Sequence, residues 1–176
     1  MRPKDVSVLP DRLPAGCTPR DALSVLGTTG LTAYFGITGV LAPPRAGETV
    51  VVSGAAGATG MVAGQIAKIL GARVIGVAGT ASKCGFLTNE LGFDAAVNYR
   101  DADWKTQLKT ATPGYVDFMF DNVGGEVLDA CLGRAARDAR FVICGAISQY
   151  NSARPEGPRS FMTVIVSFLL PGRWMR

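Results

Sequence analysis

The run Thr49-Val50-Val51-Val52-Ser53-Gly54-Ala55-Ala56-Gly57-Ala58-Thr59-Gly60, continuing into the apolar-periodic segment Met61–Leu70, decides how the rest of the 176-residue chain is read. Its β-favouring residues predict a strand, its small residues a tight turn, and the periodicity after Gly60 a helix. Gly57 and Gly60 occupy the second and third glycine positions of the G-x-G-x-x-G spacing, where the backbone approaches a ligand and helix packs closely on strand. Ala55 stands at the first position, and Gly54 supplies the sharp turn one residue earlier. Such a turn either merely connects two elements or cradles a phosphate. The N–H groups of Ala58, Thr59 and Gly60, at the positive end of a helix dipole, suit the second role. No Lys-Ser/Thr follows Gly60, which excludes a P-loop.

Outward from this unit the chain alternates. Asp21–Leu41 is expected to be mostly helical, interrupted at Gly27–Gly30 and stopped by Pro43 and Pro44. After the helix Ala58–Leu70, with Gly71 as its cap, come a strand at Arg73–Ala78, a helix near Ser82–Leu91 and a strand near Ala95–Tyr99. A helix near Ala102–Thr110, a strand Tyr115–Phe120, a helix Glu126–Ala136 and a strand Arg140–Cys144 complete the pattern. The short spacings demand parallel, right-handed crossovers, and the fold class is α/β, a Rossmann-type doubly wound parallel sheet. Ligands bind such sheets beyond the carboxyl ends of the strands. The loops of interest are therefore Gly54–Gly60, Gly79–Lys83, Asp121–Gly125 and Gly145–Asn151.

Composition bounds the function. The length suits one domain with a full core, and a 48% apolar composition is ordinary for a globular chain. The net charge of +4 belongs to the tail, because Arg134–Arg176 carries seven basic and two acidic residues. No basic cluster interleaved with aromatics is present, which argues against nucleic acid. There is no histidine, and Cys17, Cys84, Cys131 and Cys144 show no C-x-x-C spacing, so neither a zinc site nor an imidazole base is expected. Free thiols fit a reducing, cytoplasmic compartment. Met1–Arg20 has no apolar signal core, its prolines break any helix, and Phe161–Leu170 is too short to span a bilayer. No membrane partner is expected.

The second strand selects among dinucleotides. An NAD-type domain carries Asp or Glu about 20 residues past the glycine turn, to accept from the ribose 2′-OH. Here that stretch reads Val77-Ala78-Gly79-Thr80-Ala81-Ser82-Lys83, with no carboxylate. The position tolerates a 2′-phosphate, for which Lys83 supplies a charge and Tyr99 a hydroxyl or a ring. Lys83 alone reads equally as a solvated first-turn residue; the missing acid favours NADP. Tyr34 reads as core of its helix, Asp121 as a residue that fixes its loop, and Cys84 and Cys131 as buried helix residues.

Leu31-Thr32-Ala33-Tyr34-Phe35-Gly36, the Ala-Ala-Gly-Ala-Thr-Gly turn, Phe120-Asp121-Asn122-Val123-Gly124-Gly125 and Cys144-Gly145-Ala146-Ile147-Ser148-Gln149-Tyr150-Asn151 follow one another in this order. Together they resemble the zinc-independent medium-chain dehydrogenase/reductases of the prostaglandin reductase (leukotriene B4 12-hydroxydehydrogenase) and curcumin reductase type, over roughly Leu23–Arg159. The resemblance implies NADPH-dependent reduction of the C=C bond of an α,β-unsaturated ketone or aldehyde. By position, Gly57, Ala58, Thr59 and Gly60 would bind the pyrophosphate, and Lys83 and Tyr99 the 2′-phosphate. Asn122 with Cys144, Gly145, Ala146, Ile147, Ser148, Gln149 and Tyr150 would face the nicotinamide ribose. Tyr150 is the candidate catalytic residue, hydrogen-bonding the developing enolate; a phenol that packs on the ribose is the other reading.

The resemblance also implies a preceding catalytic domain, of which Met1–Arg20 would be a remnant or an irregular lead, with residues 21–176 as the NADP-binding domain. Gly157–Phe161 still follows the family whereas Leu169–Arg176 does not, so the sheet is expected to be incomplete at its C-terminal edge. Homodimerisation through an edge of the domain is a further implication, with aggregation through Phe161–Leu170 as its competitor. A quinone reductase of the same fold and a catalytically silent NADP-binding module are the alternatives to an enone reductase.

Overall fold

The computed structural model describes residues 13–151, so the first twelve residues of the Met1–Arg20 reading and the readings made above for residues 152–176 lie outside them. Five strands, β1 (Thr49–Ser53), β2 (Arg73–Ala78), β3 (Ala95–Asn98), β4 (Val116–Asp121) and β5 (Ala135–Ile143), form one parallel sheet in the order β3-β2-β1-β4-β5. Helices α3 (Ala58–Ile69), α4 (Ala81–Asn89), α5 (Trp104–Ala111) and α6 (Gly125–Leu132) make the crossovers. Two N-terminal helices, α1 (Pro19–Leu23) and α2 (Thr28–Thr38), precede β1. The strand order reverses at β1, between β2 and β4, which is the topological switch point of a doubly wound sheet.

β1 is apolar along its length because it is covered on both faces. Its side chains alternate between two cores: Val50 and Val52 join Ala63, Ala67, Val74, Phe118 and Phe120, while Val51 joins Ile75, Val77, Trp104, Leu108 and Met119. The first core is narrow because the helices over it present small residues. α3 buries Gly60, Ala63, Gly64 and Ala67, and α2 buries Gly30, Ala33, Gly36 and Ile37. Val74 is anchored at the foot of β2 by Asp94, whose carboxylate accepts from its N–H at 2.7 Å and pairs with Lys68 at 2.9 Å.

Three elements differ from the reading of the sequence. Pro19 opens a helix instead of breaking one: it stands at the first turn of α1, behind a capping box in which Thr18 and Asp21 bond reciprocally. Tyr34 is not core; it is half exposed, stacks edge-on against Phe35 at 5.4 Å, and belongs to an outward apolar face of α1–α2 that includes Leu23, Leu31 and Val40. The third difference concerns α6, which ends at Leu132 instead of Ala136, so that β5 begins at Ala135 instead of Arg140. Arg134 takes the chain out of the helix. Its Nε donates to Thr112 Oγ1 at 2.7 Å, its guanidinium lies over the Tyr115 ring, and its carbonyl accepts from Val116 N–H at 2.9 Å. The early β5 is then longer than its partner: Val116 and Phe118 pair with Ala135 and Arg140, and the surplus bulges out around Asp138, at φ 60°.

The tightness of the α3 layer is testable at Gly64, where an added Cβ would lie 2.0 Å from Cζ of Phe93, itself a buried ring. Gly64→Ala should cost about 1–3 kcal/mol by overpacking. The expected readout is a lower urea midpoint at unchanged slope.

Candidate functional site

The turn after β1 is shaped by two close contacts. Gly54 adopts φ 57°, a left-handed conformation that turns the chain out of the strand without a side-chain clash. A Cβ at Gly60 would meet the Gly54 carbonyl oxygen at 2.4 Å and Ala55 Cα at 2.9 Å, so α3 lies against the turn only because residue 60 has no side chain. Gly57 caps α3 without a side-chain hydrogen bond, and the first helical bond is Met61 N–H to Gly57 O at 2.9 Å. The N–H groups of Ala58, Thr59 and Gly60 precede it and have no carbonyl in the helix to bond.

They open onto a cleft of about 770 Å³ at the switch point. Of the residues singled out from the sequence, Gly57, Ala58, Thr59, Gly60, Lys83, Tyr99, Asn122, Ile147 and Ser148 line it. Cys144, Gly145, Ala146, Gln149 and Tyr150 do not. Tyr150 is largely exposed, and its hydroxyl lies 2.9 Å from where a Cβ at Gly145 would be. Sequence reasoning missed Thr80, Arg100, Trp104 and Glu126, which also line the cleft. For Arg100 a signal existed: a cation directly after Tyr99, at the carboxyl end of a strand.

One wall of the cleft is built on Gly79. Its absent side chain lets the Tyr99 ring lie against the backbone, since a Cβ there would come within 2.9 Å of both Cε1 and the hydroxyl. Thr80 caps α4 by accepting from Lys83 N–H at 3.2 Å, which starts the helix so that Lys83 falls in its first turn, facing the cleft. Glu126 is the only carboxylate among the described lining residues, and it pairs with Lys105 at 3.5 Å.

The opposite wall hangs on a buried carboxylate. Asp121, fully buried at the end of β4, accepts from Ser53 Oγ at 2.5 Å, Gly124 N–H at 2.9 Å and Val123 N–H at 3.2 Å. Asp121 thus fixes its loop, as its position in the sequence suggested. Ser53 Oγ in turn accepts from Asn122 N–H, and Asn122 Nδ2 donates to Ser53 O. The loop after β5 is tied to the same platform: Cys144 and Gly145 N–H donate to Asp121 O, and Ser148 donates through both N–H and Oγ to Val123 O. Cys144 is raised above the ordinary thiol value, first by burial of its sulfur and then by the Asp121 charge. The Cys131 thiol, enclosed in α6, is pushed up to about 12 by burial, with Asp121 adding to the shift. Cys84 is only partly buried, not sealed in its helix.

A parallel 3-2-1-4-5 sheet with a glycine turn, free N–H groups and a cleft at its switch point defines a dinucleotide-binding domain. The chain belongs to the zinc-binding dehydrogenase family, whose pattern matches residues 58–167, and within it to the branch of the prostaglandin and curcumin reductases. It is 43% identical over 172 residues to prostaglandin reductase 1 of Mus musculus, covering 94% of this chain and 50% of the relative. It is 42% identical over 158 residues to the NADPH-dependent curcumin reductase of Escherichia coli, covering 88% and 46%. The crystal structure of CurA from Vibrio vulnificus in complex with NADPH superimposes with a TM-score of 0.79 at 42% identity, over 86% of this chain and 45% of that one. The chain thus spans about half the length of the curated relatives it matches. The zinc of the family's description does not fit these residues: the sequence has no histidine, and the described residues bring no three of His, Cys, Asp and Glu together.

Two outcomes follow from this geometry. Ser53→Ala removes one donor from a buried carboxylate and the acceptor of Asn122 N–H, and should destabilise the fold by about 1–3 kcal/mol, read by denaturant titration. In the native protein, iodoacetamide should leave Cys131 unmodified, while the alkylation rate of Cys144 keeps climbing above pH 9 as its raised thiol ionises. Peptide mapping across a pH series checks both.

Proposed function

We propose that this chain is the NADP-binding domain of a zinc-independent reductase that transfers hydride to the β-carbon of α,β-unsaturated ketones or aldehydes. The observation that carries the reading is the adenosine end of the cleft, where Lys83 and Tyr99 stand in place of the carboxylate that would select NAD. The relatives support it, since they include an NADPH-dependent curcumin reductase and a prostaglandin reductase.

The free N–H groups of Ala58, Thr59 and Gly60 hold the pyrophosphate, and Lys83 with Tyr99 holds the 2′-phosphate. Asn122 and the segment Cys144, Gly145, Ala146, Ile147, Ser148, Gln149 and Tyr150 position the nicotinamide ribose, oriented through the bonds to Asp121 and Val123. NADPH, when bound, supplies the hydride. Tyr150 donates a hydrogen bond to the oxygen on which enolate charge develops; its exposure and its place on the loop after β5 support that assignment.

In this reading residues 21–176 are the cofactor domain, and the residues before them trail from the domain that completes the substrate cleft. The apolar outer face of α1–α2 supports a further layer over it. No described helix is long and apolar enough to cross a membrane, and the free cysteines support a cytoplasmic setting. The outer edge of β5, unpaired among the described residues, is the surface we assign to a homodimer.

Fluorescence titration with NADPH and NADH tests the reading. NADPH should bind the more tightly, and Lys83→Ala should weaken it about tenfold, with NADH unaffected. Equal affinity for the two nucleotides would sink it. With a simple enone as substrate, Tyr150→Phe should slow NADPH oxidation roughly a hundredfold without changing NADPH affinity. Turnover of a quinone without the enone would move the chain to the quinone reductases, and nucleotide binding without either turnover would leave a silent binding module.

A further inference from the structure

We propose that Arg100 is a second specificity residue, sharing the 2′-phosphate of the cofactor with Lys83; the inference rests on the NADP reading given above. A phosphate monoester carries close to two negative charges at neutral pH. Lys83 neutralises one of them. The remainder needs a second donor on the same side of the cleft, and among the described lining residues the other cation is Arg100.

Its geometry fits that task. The Arg100 guanidinium carbon lies 5.9 Å from the centroid of the Tyr99 ring, which holds the planar fork against an aromatic face. That ring is itself fixed, seated on the bare backbone of Gly79. The Arg100 N–H donates to Asn98 Oδ1 at 3.3 Å, which sets the residue at the lip of the cleft just beyond β3.

No acid competes for the guanidinium. Asp101, the adjacent carboxylate, is engaged by Asn98 Nδ2 at 2.6 Å and by Gln107 Nε2 at 3.2 Å. Glu126 is engaged by Lys105, and Arg100 makes no ion pair among the described residues. An exposed arginine over an aromatic ring, with no ion pair among the described residues, and a second such cation, Lys83, lining the same cleft form a cradle for a dianion. A guanidinium can bond two phosphate oxygens at once, which the point charge of Lys83 cannot.

The test uses two ligands that differ only at the 2′ position, adenosine 2′,5′-bisphosphate and adenosine 5′-monophosphate, titrated calorimetrically against the full chain. Arg100→Ala should weaken the bisphosphate about tenfold and leave the monophosphate unchanged. Arg100→Lys should restore part of the loss, and the Lys83→Ala/Arg100→Ala double variant should bind the two ligands alike. Because Arg100 is exposed, melting temperatures should match across the set, which separates binding from folding. If the unaltered chain shows no preference for the bisphosphate, the NADP reading and this inference fall together. A clear preference in the unaltered chain that survives Arg100→Ala intact would overturn this inference alone. Equal weakening of both ligands would overturn it too, by placing Arg100 on the adenine instead of the phosphate.

Discussion

A side chain at residue 60 would have to share space with the Gly54 carbonyl and the Ala55 backbone, and that exclusion sets where α3 lies. The helix then buries only small residues, Gly60, Ala63, Gly64 and Ala67, close enough for β1 to be sealed on that face, with Val62 and Ile66 packing at the margin. Because the approach is so close, the first turn of α3 stands directly over the carboxyl end of β1. Its unbonded N–H groups open into the cleft instead of onto bulk solvent. Packing and the aim of these donors are thus one constraint. A bulkier residue at 60 would move the helix, and the donors would leave the cleft with it.

The second organising element is polar and buried. Asp121 collects donors from β1 and from its own loop, while its carbonyl takes two N–H groups from the loop after β5. A buried carboxylate without donors is costly, so the loops are held to the positions that supply them. Asp121, with Ser53 and Val123, therefore sets the relative placement of Asn122 and of the segment Cys144–Tyr150. The adenosine side needs no such hub. Its wall is a ring on a glycine and a cation in the first turn of a capped helix, both local consequences of the chain near β2 and β3.

That contrast explains what could be read from the sequence. The β1–turn–α3 unit, the parallel order and the lining role of Gly57–Gly60, Lys83, Tyr99 and Asn122 were legible, because each follows from local periodicity, from glycine spacing or from a loop at a strand's carboxyl end. The end of α6 was only partly so. Gly133, which caps the helix, is a stop signal in the sequence, but the chain beyond it is held by Arg134 meeting Thr112 and Tyr115, which are distant in the chain. Tyr34 misled for a related reason. Its neighbours are apolar on every side, the pattern of a helix covered all round, yet the described residues cover α2 only where Gly30, Ala33, Gly36 and Ile37 meet the core. Arg100 escaped notice because a lone arginine after a strand is ordinarily solvated, and only its stacking on Tyr99 distinguishes it.

The cleft therefore carries a gradient of chemistry along its length. One end offers cations and a phenol, the middle offers backbone N–H dipoles with no net charge, and the remaining lining offers the Asn122 amide, the Ser148 hydroxyl, the apolar Ile147 and one carboxylate, Glu126, paired with Lys105. Lys and Arg at the first end attract an anion over a distance set by ionic screening, about 8 Å at physiological salt. The N–H groups of the middle act only at contact. A ligand charged at one end is therefore drawn in by that end and aligned before its centre reaches the turn.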